Sequence, residues 1–147
     1  MQPLESIAAL IPHQGAMCLL DAIVRWDAQH IQLTATTHRS PNNPLRSPDG
    51  RLRSLHLCEY GAQAMAVHGA LTARAAGRQP KPGFLVAVRA VQLHCDFLDD
   101  IATPLEIEAR CLLASAESWQ YAFSVRSARV PLAEGRAAVV ARPERGG

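Results

Sequence analysis

The sequence predicts an α+β fold in which an antiparallel sheet wraps around one long central helix, and three observations carry that prediction. The stretch from Ser54 to about Gly77 holds no proline, is rich in alanine and leucine, and is bounded by a serine and a glycine, which are helix start and stop signals. Its apolar residues, Leu55, Leu57, Cys58, Ala62, Met65, Val67 and Leu71 among them, fall on almost every side of a helix, so protein should surround it. On either side of this stretch the chain reads as strands.

Taken in order, Pro3 to Leu10 reads as a short helical turn, followed by the punctuated loop Ile11 to Ala16. Met17 to Trp26 is an apolar run and a first strand; after a turn at Asp27 to Gln29, His30 to His38 alternates apolar and polar residues as a returning strand should. Arg39 to Arg53 contains three prolines, two asparagines and a glycine, which forbid regular structure and make it the longest loop before the helix. Its arginines fit either an ordinary solvated loop or an electropositive rim for an acidic partner or a phosphate. After a turn at Gly77 to Pro82, strand-like runs follow at Gly83 to Cys95, Leu105 to Ser115, Trp119 to Ala128 and Ala133 to Arg142, rich in β-branched and aromatic residues. Asp99-Asp100, Ala116 to Ser118 and Arg129 to Pro131 separate them. A helix apolar on all sides needs a sheet curved around it and a cover for its remaining face, most simply a second subunit. That is the hotdog architecture, here a single domain over residues 1–147.

The bulk numbers agree. A chain of 147 residues fits one domain with one core, and 48% hydrophobic against 19% charged residues is a globular balance. A net charge of +2, with arginines scattered and no interleaved aromatics, is no footprint for nucleic acid. Cys18, Cys58, Cys95 and Cys111 show no paired spacing for zinc, and each sits in an apolar run, as small buried residues of a reducing compartment do. MQPLESIAALIPH lacks a basic leader segment, and no apolar run reaches bilayer-spanning length. A soluble cytoplasmic protein without metal is expected.

Inside the apolar helix lies a polar stripe of His56, Glu59 and Gln63, residues three and four apart and therefore neighbours on one face. A buried carboxyl group is costly unless hydrogen-bonded, and burial moves it toward acid/base work. Glu59 thus fits either catalysis or a structural hydrogen-bond pair.

Two segments carry a resemblance that bears on this choice. IPHQGAMCLLD, with Pro12, His13 and Asp21, resembles the loop and first strand of the β-hydroxyacyl-acyl-carrier-protein dehydratases of type II fatty acid synthesis. LHLCEYGAQAM, with Glu59 followed four residues later by Gln63, resembles their central helix, and GFLVAVRAVQLHCDFLDDI resembles a strand of theirs. With His13, Gly15, Met17 and the AVHGAL after the helix glutamine, the likeness is strongest to the dehydratase-like proteins of aryl polyene pigment pathways, and it extends over most of the chain.

The resemblance implies a dehydration of a 3-hydroxyacyl thioester delivered on the phosphopantetheine of an acyl carrier protein, with no metal or redox cofactor. Such chemistry needs a base at C2, an acid for the departing hydroxyl and donors at the thioester oxygen. His13 suits the base, Glu59 the acid, and Gln63 the orientation of Glu59 or a water; His56 is a further donor near them. In these relatives histidine and acid meet across a dimer interface, so a homodimer or a heterodimer with a sister dehydratase is implied. Where the fatty-acid enzymes open the central helix with proline-glycine, this chain has Arg53-Ser54; Ser54 would cap the helix and bind substrate. Arg46, Arg51 and Arg53 are candidates for docking the acidic carrier. A non-catalytic partner subunit and a hotdog thioesterase are the alternative readings, and Asp21 reads as an anchor for the loop.

Overall fold

The computed structural model describes residues 2–3, 18–79 and 83–141. It contains strands β1 (Gln2–Pro3), β2 (Ala22–Trp26) and β3 (His30–Ala35), helix α1 (Leu57–Ala75), and strands β4 (Gly83–Leu93), β5 (Leu105–Ala114), β6 (Ser118–Ser127) and β7 (Val130–Ala141). The strands form one seven-stranded sheet in the order β1-β2-β3-β5-β6-β7-β4, antiparallel throughout. The chain therefore adopts the hotdog arrangement that its element order predicts.

Alternation along the strands decides which face meets the helix. Ile31, Leu33 and Ala35 of β3, Leu105, Ile107 and Ala109 of β5, and Tyr121, Phe123 and Val125 of β6 are buried and, being two residues apart, share one face. α1 lies on that face and packs against β3, β5, β6 and β7. Leu57, Tyr60, Gly61, Ala64, Val67, His68 and Leu71 are its buried side. Removing a leucine-sized side chain from water contributes about 1.5–3 kcal/mol, so this interface is the main source of stability. Its tightest point is Gly61: a Cβ there would stand 2.7 Å from Cδ2 of Phe123. The same ring lies 3.0 Å from where a Cβ on Gly135 would be, so Phe123 is held between two glycines.

Several expected boundaries move, each for an identifiable reason. Pro3 belongs to a short edge strand rather than a helical turn, pairing with Ala22, and proline is tolerated at an edge; the rest of that expected turn and the loop Ile11 to Ala16 lie outside the described residues. The first long strand starts at Ala22 because the Leu19 N–H and carbonyl are taken by side chains of Gln63 and Thr37 instead of a ladder. β3 stops at Ala35 because the Asp21 carboxylate captures the Thr36 N–H at 2.7 Å and its hydroxyl at 2.8 Å, and a 3₁₀ turn follows at Thr37–Arg39. Asp21 thus anchors the chain at the end of β3, while the loop it was expected to anchor lies outside the described residues. Arg129 to Pro131 is not a loop: Ala128 and Arg129 form the turn, with φ of 49° and 69°, as in the two-residue type I′ connection. Val130 and Pro131 already pair with Ser127 and Arg126.

The helix also differs from expectation. Ser54–His56 is a 3₁₀ turn and α1 begins at Leu57, while Gly77, at φ 69°, closes the C-terminal end as a glycine can. Nor is α1 enclosed on every side. Glu59, Ala62, Ala66, Gly69 and Ala73, at alternating spacings of three and four, are only half-buried, and they trace one stripe away from the sheet.

Replacing Gly61 with alanine should destabilise the protein by about 1–3 kcal/mol, the usual effect of overpacking. Denaturant unfolding of Gly61→Ala, Phe123→Leu and the double variant checks the cause. The double variant should lose less than the sum of the singles; strict additivity would rule the Gly61–Phe123 contact out as the origin.

Candidate active site

Glu59 sits in the first turn of α1, where the exposed N–H ends of the helix favour a negative charge. It is half-buried and belongs to the stripe that the sheet leaves uncovered. One turn further, Gln63 is 3% exposed, and its Oε1 accepts the Leu19 N–H at 2.9 Å. Gln63 therefore ties to α1 the chain that emerges from the proline-histidine segment. His13 itself lies outside the described residues, and so do Pro12, Gly15 and Met17.

The other end of Leu19 is held just as firmly. Its carbonyl accepts the Thr37 hydroxyl at 2.6 Å, so the Thr37 oxygen serves as acceptor for the Tyr60 hydroxyl at 2.8 Å. Tyr60 in turn accepts from the Asn43 amide at 3.2 Å, and the same amide donates to the Thr37 carbonyl at 3.0 Å. The donors run in one direction, from Asn43 through Tyr60 and Thr37 to Leu19, and chains of this kind strengthen each member. Tyr60 is fully buried, and burial pushes its hydroxyl above the ordinary value, which keeps it a neutral donor. Sequence reading passed over Tyr60, Thr37 and Asn43. The signal was present, since a tyrosine in an apolar helix must find a partner for its hydroxyl.

Ser54 corrects an expectation. It does not cap the helix: it lies within the 3₁₀ turn, and neither Arg53 before that turn nor His56 before α1 makes a side-chain cap bond. Its N–H already donates to the Asp96 carbonyl at 2.9 Å. A thioester oxygen would have to displace that bond to use this amide. His56 is half-buried at the junction between the turn and α1.

The loop over Arg39 to Arg53 is ordered by Arg46. Its guanidinium donates to the carbonyls of Ser40, Gly50 and His38, each at 2.8 Å, and to Asp99 at 3.1 Å. That many bonds make Arg46 a clamp for the loop and remove it from the docking candidates. Arg51 and Arg53 are exposed and stand against the Phe97 ring, their guanidinium carbons 3.3 and 5.3 Å from its centroid.

Two histidines away from Glu59 are structural. His68, 1% exposed, donates from Nε2 to the Asp27 carbonyl at 2.9 Å and accepts the Tyr121 hydroxyl on Nδ1 at 2.7 Å. His38, fully buried, donates to the Ile101 carbonyl at 3.0 Å, and its Nδ1 has no partner among the described residues. Burial pushes both imidazoles below the ordinary value. All four cysteines are free and half-buried, and burial raises each thiol, away from thiolate chemistry. Among the described residues no three His, Cys, Asp or Glu side chains gather as metal ligands, and no helix is long and apolar enough to cross a membrane.

Two outcomes follow from these contacts. Gln63→Leu removes the acceptor of a buried N–H, so it should cost about 1–3 kcal/mol in denaturant unfolding; an unchanged midpoint would mean Leu19 is not held this way. For pH, the unfolded histidines titrate near 6.5 and the folded ones lower, so the unfolded chain binds more protons once the pH drops below that value. Stability should be flat from about pH 7 to 8 and fall progressively below about 6.5. His38→Asn with His68→Gln should flatten that acid limb, and an identical slope in the variant would contradict the assignment.

Comparison with known proteins completes the description. The ApeP-like family model, described as ApeP dehydratase, matches residues 5–145. The dehydratase heterocomplex ApeI:P from Xenorhabdus doucetiae superposes with a TM-score of 0.84 at 20% identity, over 98% of this chain and 93% of that one. Cj0977, a sigma28-regulated virulence protein from Campylobacter jejuni, gives 0.64 at 12% identity over 96% and 91%. A hypothetical thioesterase protein with coenzyme A from Streptococcus pneumoniae gives 0.61 at 10% identity over 84% and 89%. At these identities the structural likeness is one of fold. No curated protein matches the chain.

Proposed function

The chain belongs to the ApeP-like dehydratase family, and on that premise we propose that it removes water from a 3-hydroxyacyl thioester carried on acyl carrier protein, giving the trans-2-enoyl thioester of an aryl polyene or similar pathway. The observation that carries the reading is the pairing of Glu59 with Gln63 on α1. Glu59 occupies the helix stripe that the sheet leaves open, and Gln63, one turn away, binds the chain six residues past His13. In the proposed reaction His13 accepts the C2 proton, the electron pair forms the C2–C3 double bond, and Glu59 protonates the C3 hydroxyl, which leaves as water. Gln63 acts by holding the segment that follows His13, and His56 and Ser54 border the substrate at the start of the helix. No metal or redox cofactor is needed for this proton transfer. The phosphopantetheine arm would enter beside Arg51 and Arg53, the exposed arginines proposed to meet the acidic carrier.

A second subunit is part of the proposal. β4 is an edge strand, and its residues Leu85, Val88 and Leu93, which share the helix-facing side, are 44%, 38% and 38% exposed. A long apolar edge of this kind invites pairing with another chain, and the half-exposed stripe of α1 invites the same. The similar ApeI:P proteins form a heterocomplex, which favours a sister dehydratase as the partner over a second copy. The internal bond made by the Ser54 N–H favours a further possibility, that this chain supports the active site of a sister and turns over little by itself.

Mass spectrometry of a 3-hydroxyacyl-carrier-protein incubated with the purified chain, with and without a sister subunit, tests the reading. Loss of one water is expected, falling roughly a hundredfold or more in Glu59→Gln and in His13→Ala. Activity only with the sister, unaffected by either substitution, would make this chain the supporting partner. Release of free acid would make it a thioesterase and end the role given to His13.

A further inference from the structure

The outer face of the sheet, turned away from α1, carries a charge pattern for which the proposed dehydration has no use. Antiparallel register aligns His30 of β3, Arg110 of β5, Ala122 of β6, Arg136 of β7 and Arg89 of β4 in one row. Residues directly opposite one another point to the same face, and Arg110, Arg136 and Arg89 are all exposed. Three guanidinium groups and an imidazole therefore share a line broken only by the methyl group of Ala122. Arg136 and Arg89 are a direct cross-strand pair, which like-charge repulsion makes unfavourable.

The neighbouring row does not neutralise it. That row runs through Glu108, Ser124, Glu134 and Gln92, and its two carboxylates meet other side chains than the three arginines. Glu108 meets His30 and Arg126, each at 3.7 Å, and Glu134 meets His94 at 3.4 Å. Arg89, Arg110 and Arg136 make no ion pair with any described residue. Between Arg110 and Arg136 the small side chain of Ala122 leaves a hollow of about 370 Å³, which Ser124, Gln92 and the two carboxylates also border. The two arginines stand on strands separated by one other, roughly 10 Å apart at the backbone, a span that their long side chains close from both sides.

We infer that this hollow is a binding site for a phosphate-bearing small molecule, gripped between Arg110 and Arg136 with Ser124 and Gln92 as further donors. A carboxylate has two oxygens and fills a single guanidinium fork. A phosphate monoester has three terminal oxygens and can engage two forks at once, and its charge relieves the Arg136–Arg89 repulsion. The site lies across the sheet from Glu59, so its occupancy is independent of the dehydratase reading.

The test is thermal unfolding of the full chain at pH 7.5 in inorganic phosphate, against chloride and acetate at matched ionic strength. Wild type should show a saturable rise in Tm with phosphate, as binding to the folded state requires, and little with acetate. Arg110→Gln and Arg136→Gln should bind phosphate at least about tenfold more weakly, with Arg136→Lys intermediate and the remote Arg78→Gln unchanged. In chloride Arg136→Gln should melt no lower than wild type, since it removes a repulsive pair. Equal increments in all the proteins, no phosphate increment in wild type, or an acetate response as large as that to phosphate would overturn the inference.

Discussion

The closeness of α1 to the sheet, set where Gly61 meets the Phe123 ring, is the constraint on which the other features depend. Without a side chain at Gly61 the helix axis comes down far enough for Tyr60, Gln63, Ala64 and Val67 to be buried on the strands. Phe123 is itself confined from the other side by Gly135, so the ring cannot yield in either direction. A close-packed interior tolerates little displacement, and the reach of each polar side chain on α1 is set by this one contact. Gln63 finds the Leu19 N–H and His68 finds Tyr121 because the helix sits at that height.

Burying so much of one helix creates a polar problem that is solved at its N-terminal end and in its middle by side-chain bonds, while backbone N–H groups of Ala76, Gly77 and Arg78 cap its C-terminal end. Near the N-terminal end, Asn43, Tyr60 and Thr37 pass hydrogen bonds toward Leu19. In the middle, His68 links the helix to β6 and to the β2–β3 turn. Arg46 does the corresponding work for the proline-rich loop, gathering three carbonyls and Asp99 around one guanidinium. Several of these bonds, from Arg46 to Asp99, Thr37 to Leu19 and His68 to Tyr121, join residues far apart in sequence, so the loops before α1 are as much part of the core architecture as the strands.

The open stripe of α1 and the open edge of β4 belong together. Both are left uncovered by the single chain, the stripe made of small residues after Glu59 and the edge exposing Leu85, Val88 and Leu93. At the turn before that helix the Ser54 N–H is already bonded to the Asp96 carbonyl.

The sequence by itself determined the fold class, the existence of α1 and most strands, and the pairing of Glu59 with Gln63 on one helix face. Those are consequences of local periodicity, which a chain carries without reference to distant residues. The dehydratase family was legible differently, through the resemblance of short motifs in fixed order to those of known dehydratases. Only the tertiary structure decided that Cys18 to Asp21 is not a strand, that Val130 and Pro131 are, that Ser54 does not cap α1, and that Arg46 is a clamp. In each case the outcome was set by a hydrogen bond or register shift joining residues remote in the chain, such as Gln63 to Leu19 or Asp96 to Ser54, and local pattern contains no term for such competition. The row of arginines across β4, β5 and β7 was invisible for the same reason, because its members are neighbours solely through strand register.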